Sequence, residues 1–515
     1  MESESDSEWC RDVDDESIAL FKSWLIENGA KFDKIDWPSS KTNSGIRGAV
    51  ALEDIETNEV MLSIPSSLML TPEKAFADSV MGEVFRKNKD VLRGDLLLTM
   101  YMSYELSKGE NSFYAPFFRI LPSPGVISTW KESELVELQD DKLLHRAQNK
   151  RQQLKTVYRG LVGVLSSRHP DLVSPDIFTY RRFAFSFDTI QARAFGRRLP
   201  WTALVPFADC LNHANVQTKY DYDMDNNQTF RLFPTGKNRY GAGFEVFNSY
   251  GRRPNDNLLL DYGFAMMDNE WDHVSVFWKI PVGDPLIEEK KGIACDYGFS
   301  YIKRLCLYRD AIPAELFVFF RIAALTSREL SYLKETLNPT VLDNPLSLQN
   351  EILALRLFSN AIEEFLSDHP TTEEQDCCIL RDLAVSDDNQ SALNRNWKLA
   401  CAVIYRVTRK RILQTSIKAL RLLLDWLDRL VIEREQFVEN DIPEEYKVNE
   451  AERMLKNLKD FYLSDTDRSR SMYGVVFSYF VSVAGIPYDI EYDDSLNTES
   501  TVVSDDHPEP TVIDS

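Results

Sequence analysis

The sequence predicts an α+β chain in which a strand-rich half is followed by an all-helical half. Three observations carry this. Short apolar runs, Gly48-Ala-Val-Ala-Leu, Glu59 to Pro65, and the stretch from Val274 to Ile280, read as strands. Residues 205–264 hold two more apolar runs that each end in polar and aromatic residues, with a polar hairpin-like insert between them. From Pro313 onward apolar residues recur at helical spacing over 313–336, 346–367, 391–433 and 449–463. The change of pattern places a boundary near 285–312.

In chain order, Ser17 to Asn28 is an amphipathic helix with Ile18, Phe21, Trp24 and Leu25 on one face and Gly29 as its stop. Residues 54–58 turn between two strands, and Thr71-Pro72 opens a helix with Thr as the cap and Pro at the first position. Asp95 to Ser107 is helical, Asn111 to Pro124 is an aromatic, proline-broken loop, and 131–181 is mainly helical. There is no internal repeat.

A chain of 515 residues exceeds one ordinary core, so at least two domains are expected. The formal charge of −22 is concentrated at the ends. Residues 1–16 hold eight acidic side chains and one Arg, and residues 487–515 hold nine acidic and no basic ones, which predicts solvated, disordered tails. So little positive charge argues against direct nucleic-acid binding. No run is long enough for a membrane span. The N-terminus lacks an apolar secretory core and is not Arg-rich as a transit peptide would be, so a cytoplasmic or nuclear location is expected. The seven cysteines form no C-x-x-C pair, which argues against structural zinc; no metal ligand set is expected.

The residues with chemical interest are Ala192-Arg193-Ala-Phe195, Asp209-Cys-Leu-Asn212-His213, Glu245-Val-Phe-Asn-Ser-Tyr250-Gly and Leu260-Asp-Tyr262-Gly-Phe264. Taken singly, each has an ordinary explanation. Asn-His is a loop turn or a satisfied core pair, Tyr262 and Phe264 are core strand residues, and Arg193 is a surface arginine at a helix end. Together, at this spacing, they resemble the SET-domain methyltransferases of the Rubisco large-subunit methyltransferase type, over about residues 20–430.

That resemblance implies a split SET domain at 17–285 with a helical insert at about 106–180, then a helical substrate-binding domain at 286–486. It implies protein-lysine N-methylation of a non-histone protein with S-adenosyl-L-methionine. Tyr250 matches the family tyrosine that aims the amine and completes the methyl-transfer pore. Arg47, Gly48, Arg193, Asn212, His213, Tyr250 and Tyr262 match cofactor-binding positions, Arg193 as the partner of the cofactor carboxylate. Phe195, Asp209, Tyr262 and Phe264 match positions around the target side chain. The family's Ser before the Arg is Ala192 here, and its Gly-x-Gly is Ile46-Arg47-Gly48, with Gly45 displaced. The actin-histidine branch carries an amide where this chain has Phe195, which favours lysine.

The residue types suit the chemistry. In-line methyl transfer needs positioning more than acid–base catalysis. A narrow aromatic channel strips water from an amine, and desolvation lowers its pKa. Oxygen tips contact a polarised methyl, and ring faces tolerate a cationic product. Two other readings stay open: histidine methylation, and a catalytically idle SET scaffold. The run from Asn396 to Arg421, with seven basic and no acidic residues, is either a solvated helix face or a groove for an acidic protein substrate.

Overall fold

A computed structural model describes residues 13–39, 47–223, 228–309, 311–336, 341–385 and 396–434. Gly45, the expected helix at 449–463 and the C-terminal tail lie outside these residues. The chain is α+β and divides into two compact units, Met1–Asp272 with Pro370–Lys410, and His273–His369 with the residues from Arg411 on. The first unit thus ends thirteen residues before the expected 285 and takes back residues 370–410.

In the first unit, Asp14 caps the helix Asp15–Glu27 by accepting from the Ser17 amide, and Asp15 and Glu16 fill its first turn, where carboxylates favour a helix N-terminus. These residues are therefore helical rather than tail. Phe21, Trp24 and Leu25 face the core. Strands β1 (Ile35–Ser39), β2 (Gly48–Ala51) and β6 (Glu245–Val246) form one antiparallel sheet in the order β1-β2-β6. Strands β3 (Leu62–Pro65), β4 (Thr218–Asp223) and β5 (Thr229–Pro234) form another in the order β3-β5-β4, with β4 and β5 as the hairpin expected between the two site segments. Thr71 caps the helix Pro72–Ala77.

Helices Asp95–Ser107, Asp141–Arg168 and Tyr180–Arg193 make the helical part. The region expected as an aromatic loop holds a further helix, Ala115–Ile120, because Phe117 and Ile120 are on one buried face and Pro116 falls in the first turn, where it is tolerated.

The second unit has a hairpin of β7 (His273–Lys279) and β8 (Ile302–Tyr308), in register from His273 opposite Tyr308 to Lys279 opposite Ile302. β8 was not expected: only Leu305 and Leu307 of its face are fully buried, so its alternation is short. Helices Ala314–Ala324, Ser327–Thr336 and Leu348–Ser367 pack around it, the expected 313–336 helix being broken at Leu325-Thr326. Inside this core Arg321 meets Glu351 through two bonds of 2.8 and 3.0 Å and uses Nη1 on the carbonyls of Leu342 and Asp343.

The basic run corrects both of its readings in the part that belongs to the first unit. The helix Trp397–Arg434 buries Arg406, Arg409 and Lys410 there. Arg406 Nη1 donates to the Glu137 carbonyl and carboxylate at 2.8 and 2.9 Å, and its Nη2 lies 2.8 Å from Asp376 as an ion pair. Lys410 Nζ sits 2.6 Å from the other Asp376 oxygen. Arg409 lies 3.2 Å from Asp140, which also accepts the Tyr405 hydroxyl at 2.8 Å. Burial pushes the Asp140 carboxyl up, but the Arg409 charge, the Tyr405 hydroxyl and the Leu143 and Lys142 amides outweigh it and hold it below the usual carboxylate range. These cations neutralise internal carboxylates; they form neither a solvated face nor a groove.

Asp376, whose side chain is fully buried, faces two of these cations. Asp376→Ala therefore leaves uncompensated buried charge and should cost about 3–5 kcal/mol in denaturant unfolding. A loss below about 1 kcal/mol would show that the cluster is solvated after all.

Candidate active site

Two stretches distant in sequence run side by side in the first unit. The Asn248 amide donates to the Asn212 carbonyl at 2.8 Å, and the Ala214 amide donates to the Asn248 carbonyl at 3.3 Å, a parallel bridge between His213 and Asn248. Only Glu245 and Val246 belong to a strand, paired with Val50 and Ala49; the expected longer strand stops there because Asn248 turns to pair with the other stretch. Ahead of the pairing, Phe207 has a φ of 73°, rare for a bulky residue, with its ring fully buried and stacked at 4.2 Å on Phe32. The turn Ala208–Cys210 follows and sets Asp209.

Tyr250 is held at three points. Its amide donates to His213 Nδ1 at 3.1 Å, its hydroxyl donates to the Leu211 carbonyl at 2.9 Å, and its ring stacks between His213 (4.9 Å) and Tyr262 (5.1 Å). Burial pushes the phenol well up, against the opposing Arg193 charge, so it stays protonated at neutral pH. With its proton on Leu211, the phenol oxygen is left to accept. Phe264 meets Tyr250 edge-on at 6.3 Å.

Tyr262 and Phe264 are not strand residues. Tyr262 ends a wide helical turn, Leu258–Tyr262, and Gly263 follows at a φ of 84°. A Cβ at Gly263 would lie 2.3 Å from the Pro124 carbonyl oxygen, so only glycine fits between the two aromatics.

Arg193 ends the helix Tyr180–Arg193 and reaches Asp209, donating from Nη1 to its carbonyl at 2.9 Å and its carboxylate at 3.2 Å. Burial pushes the Asp209 carboxyl up while Arg193 pulls it down. Arg193, Phe195, Asp209, Tyr250 and Tyr262 line a cavity of about 100 Å³, together with Tyr220, Asn248 and Ser249. Phe195 is pinned by backbone pairing to Ala203 and by edge contacts to Tyr220 and Phe230 at 5.4 and 5.0 Å.

On another side, Asn212 Nδ2 donates to Glu245 at 2.8 Å and to the Arg47 carbonyl at 3.2 Å, which ties it to the start of β2. Gly48 is buried and opposite Ser39; the Arg47 side chain is exposed. Because Nδ1 of His213 accepts the Tyr250 amide, Nε2 carries the proton, and this Nε2 is buried without a partner. Burial lowers the His213 pKa, so the ring is neutral at ordinary pH.

Of the candidate residues, Arg193, Phe195, Asp209, Tyr250 and Tyr262 line this cavity; His213 and Phe264 touch the Tyr250 ring, while Asn212, Arg47 and Gly48 lie outside the lining. Three contributors were missed. Tyr220, on the alternating β4, was legible as a strand aromatic but not as a cavity wall. Glu245 was read as the start of a run rather than the anchor of Asn212. Asp188 gave no signal at all: it is buried one helical turn before Ala192, and its Oδ1 has no partner.

This is the fold of the SET-domain methyltransferases. The comparisons agree: residues 281–413 match the Rubisco LSMT substrate-binding family. The chain is 28% identical over 412 residues, 77% of this chain and 80% of the relative, to the chloroplastic ribulose-1,5-bisphosphate carboxylase/oxygenase large subunit N-methyltransferase of Pisum sativum. It is 25% identical over 423 residues, 77% of this chain and 68% of the relative, to the actin-histidine N-methyltransferase of Canis lupus familiaris. A solved structure of the SET domain of LSMT bound to lysine and AdoHcy superposes with a TM-score of 0.58 and 25% identity, covering 80% of this chain and 93% of that one. The chain is similar, over about four fifths of its length, to the SET-domain protein methyltransferases of the Rubisco large-subunit methyltransferase class.

Its cofactor is S-adenosylmethionine. The residues fit such a group. Among the described residues Arg193 is bonded only through Nη1, which leaves guanidinium donors for a carboxylate at the cavity, and the unpartnered Nε2 of His213 adds a buried donor nearby.

Burial pushes the Asp188 carboxyl up to about 6, with Lys150 pulling it down and Asp261 pushing it further up. Lys150 in turn donates to the Leu260 carbonyl at 2.7 Å and to Asp261 at 3.1 Å, on the turn that carries Tyr262. A carboxyl raised in the folded state loses stability as pH rises from its ordinary 3.8 to about 6, and the whole cost is present above that. Asp188→Asn should therefore raise unfolding free energy by about 1–3 kcal/mol at pH about 7.5 and change little at pH about 4. Denaturant unfolding at both pH values checks this; an equal effect at both would rule out the titration.

Proposed function

We propose that this chain is an S-adenosylmethionine-dependent protein-lysine N-methyltransferase acting on a non-histone protein, with Tyr250 as its catalytic residue. The observation that carries this is the column of His213, Tyr250 and Tyr262, with Phe264 on its edge, beside a cavity of about 100 Å³. An unbranched alkyl amine suits so narrow an aromatic space, and the rings keep water away from it. The relative in pea is named for the Rubisco large subunit, and the solved relative is bound to lysine.

The cofactor, when bound, supplies a methyl group activated by a sulfonium. Arg193 would hold its carboxylate, with Asp209 fixing the guanidinium from behind. Asn212, His213, Arg47 and Gly48 would hold its other end through main-chain and amide groups, and Tyr262 would flank it. Tyr250 acts through an oxygen that can only accept. With the cofactor and substrate bound, that oxygen would accept from the C–H groups of the activated methyl and the N–H groups of the amine, and so would align both partners. Phe195, Asp209, Tyr262 and Phe264 would surround the target side chain. Phe195 offers no polar atom to an imidazole, which favours lysine over histidine.

Tyr250→Phe keeps the ring stack and removes the oxygen. It should lower kcat by tens- to thousands-fold, on the order of 2–4 kcal/mol, and leave the Leu211 carbonyl short of a partner at a cost of about 1 kcal/mol in stability. Labelled cofactor in a cell lysate, read by mass spectrometry, gives the residue modified. Label on lysine that falls with Tyr250→Phe supports the reading, label on histidine replaces it with the histidine activity, and cofactor binding without any transfer makes the chain a scaffold.

A further inference from the structure

Outside the narrow cavity lies a wide mouth of about 980 Å³, which shares Tyr220, Tyr250 and Tyr262 with it. The mouth is lined by Arg197, Arg198, Lys219, Arg252 and Arg253, and Glu270 is the only carboxylate among its lining residues. All five cations are exposed. None is in an ion pair with a described residue. Arg252 lies over the Trp271 ring at 4.4 Å, and the Arg253 charge opposes the burial that pushes the Tyr262 phenol up; the other three have no charged or aromatic contact among the described residues.

This differs from the rest of the molecule. The chain carries −22 formally, and the basic residues of the first unit's 397–410 segment are consumed by internal carboxylates. Five like charges around one opening repel each other, and no internal partner offsets that. The cluster surrounds the route to the aromatic column, so whatever presents the amine passes through a positive field. A lysine in a neutral or basic segment is repelled there, whereas one flanked by carboxylates is drawn in.

We propose that the mouth selects target lysines flanked by acidic residues, so that the substrate is an acidic segment of a protein. This rests on the lysine-methyltransferase reading of the same site. The acidic substrate expected from the Asn396–Arg421 run is thereby moved to a different face, at the cavity itself. A nucleic acid would also answer to positive charge, but it has no alkyl amine to place in the column.

The test uses the full chain, labelled cofactor and an array of lysine peptides in which Asp or Glu around the lysine is exchanged for Asn or Gln. Wild type should methylate the acidic members about tenfold or more above their amide counterparts, a preference that shrinks at about 0.5 M salt. The variant R197E/R198E/K219E should lose that preference while binding cofactor as wild type does in calorimetry. These three residues are exposed, so the variant should also melt as wild type does; if it does not, the single variants K219E and R198E carry the comparison. Methylation without preference for acidic neighbours overturns the inference and leaves the lysine reading standing. Cofactor binding with no lysine methylated in the array or in lysate removes the reading itself, and the inference with it. Binding of a labelled single-stranded RNA that the triple variant abolishes, with no acidic preference in the array, reassigns the mouth to nucleic acid.

Discussion

The backbone pairing of Asn248 with Asn212 is the constraint on which the site depends. Bonds cross between the two stretches within a few residues: amide to carbonyl from Asn248 to Asn212 and from Ala214 to Asn248, amide to imidazole at Tyr250, and hydroxyl to carbonyl at Tyr250. Each is individually modest, about 1 kcal/mol net. Breaking one leaves its buried partner unsatisfied, and the loss then exceeds the bond. The same pairing fixes the His213 tautomer, the Tyr250 ring plane and the position of its oxygen. The stack is therefore set by main-chain bonds before any ligand arrives.

Much of this was legible in the sequence, for identifiable reasons. The helix at 15–27 and the one at 95–107 follow from spacing and caps, which are local signals. Arg193, Asn212, His213, Tyr250, Tyr262 and Phe264 could be chosen because together they form a spaced motif; no single one could. What failed was non-local. Tyr262 was read as a strand residue because Leu-Leu-Leu-Asp-Tyr is apolar and short, and only the Gly263 backbone against Pro124 and Gly125 shows why the chain coils there. Asp188 was invisible because a lone acid in an aromatic helix usually points outward.

Charge was the poorest guide. Lys410 and Lys219 look alike in sequence, yet one is buried against Asp376 and the other stands exposed at the mouth of the cavity. The partners of Arg406, Arg409 and Lys410 lie thirty or more residues away in sequence, at Asp376, Glu137 and Asp140. No window on the sequence spans those distances, so a run of cations cannot by itself be assigned to solvent, to a partner or to the interior.

The backbone at Phe207 places the chain at a local optimum that single changes cannot leave. Holding a bulky residue at a positive φ costs about 1–3 kcal/mol, which glycine would relieve. Glycine would also remove a ring that fills the core against Phe32, at about 3–5 kcal/mol, and would loosen the unfolded chain further. The second pair of terms wins, so the strained residue is the better choice. An alternative must change Phe32 and Phe207 together, which makes the turn that presents Asp209 resistant to drift even where the surrounding sequence is free to vary.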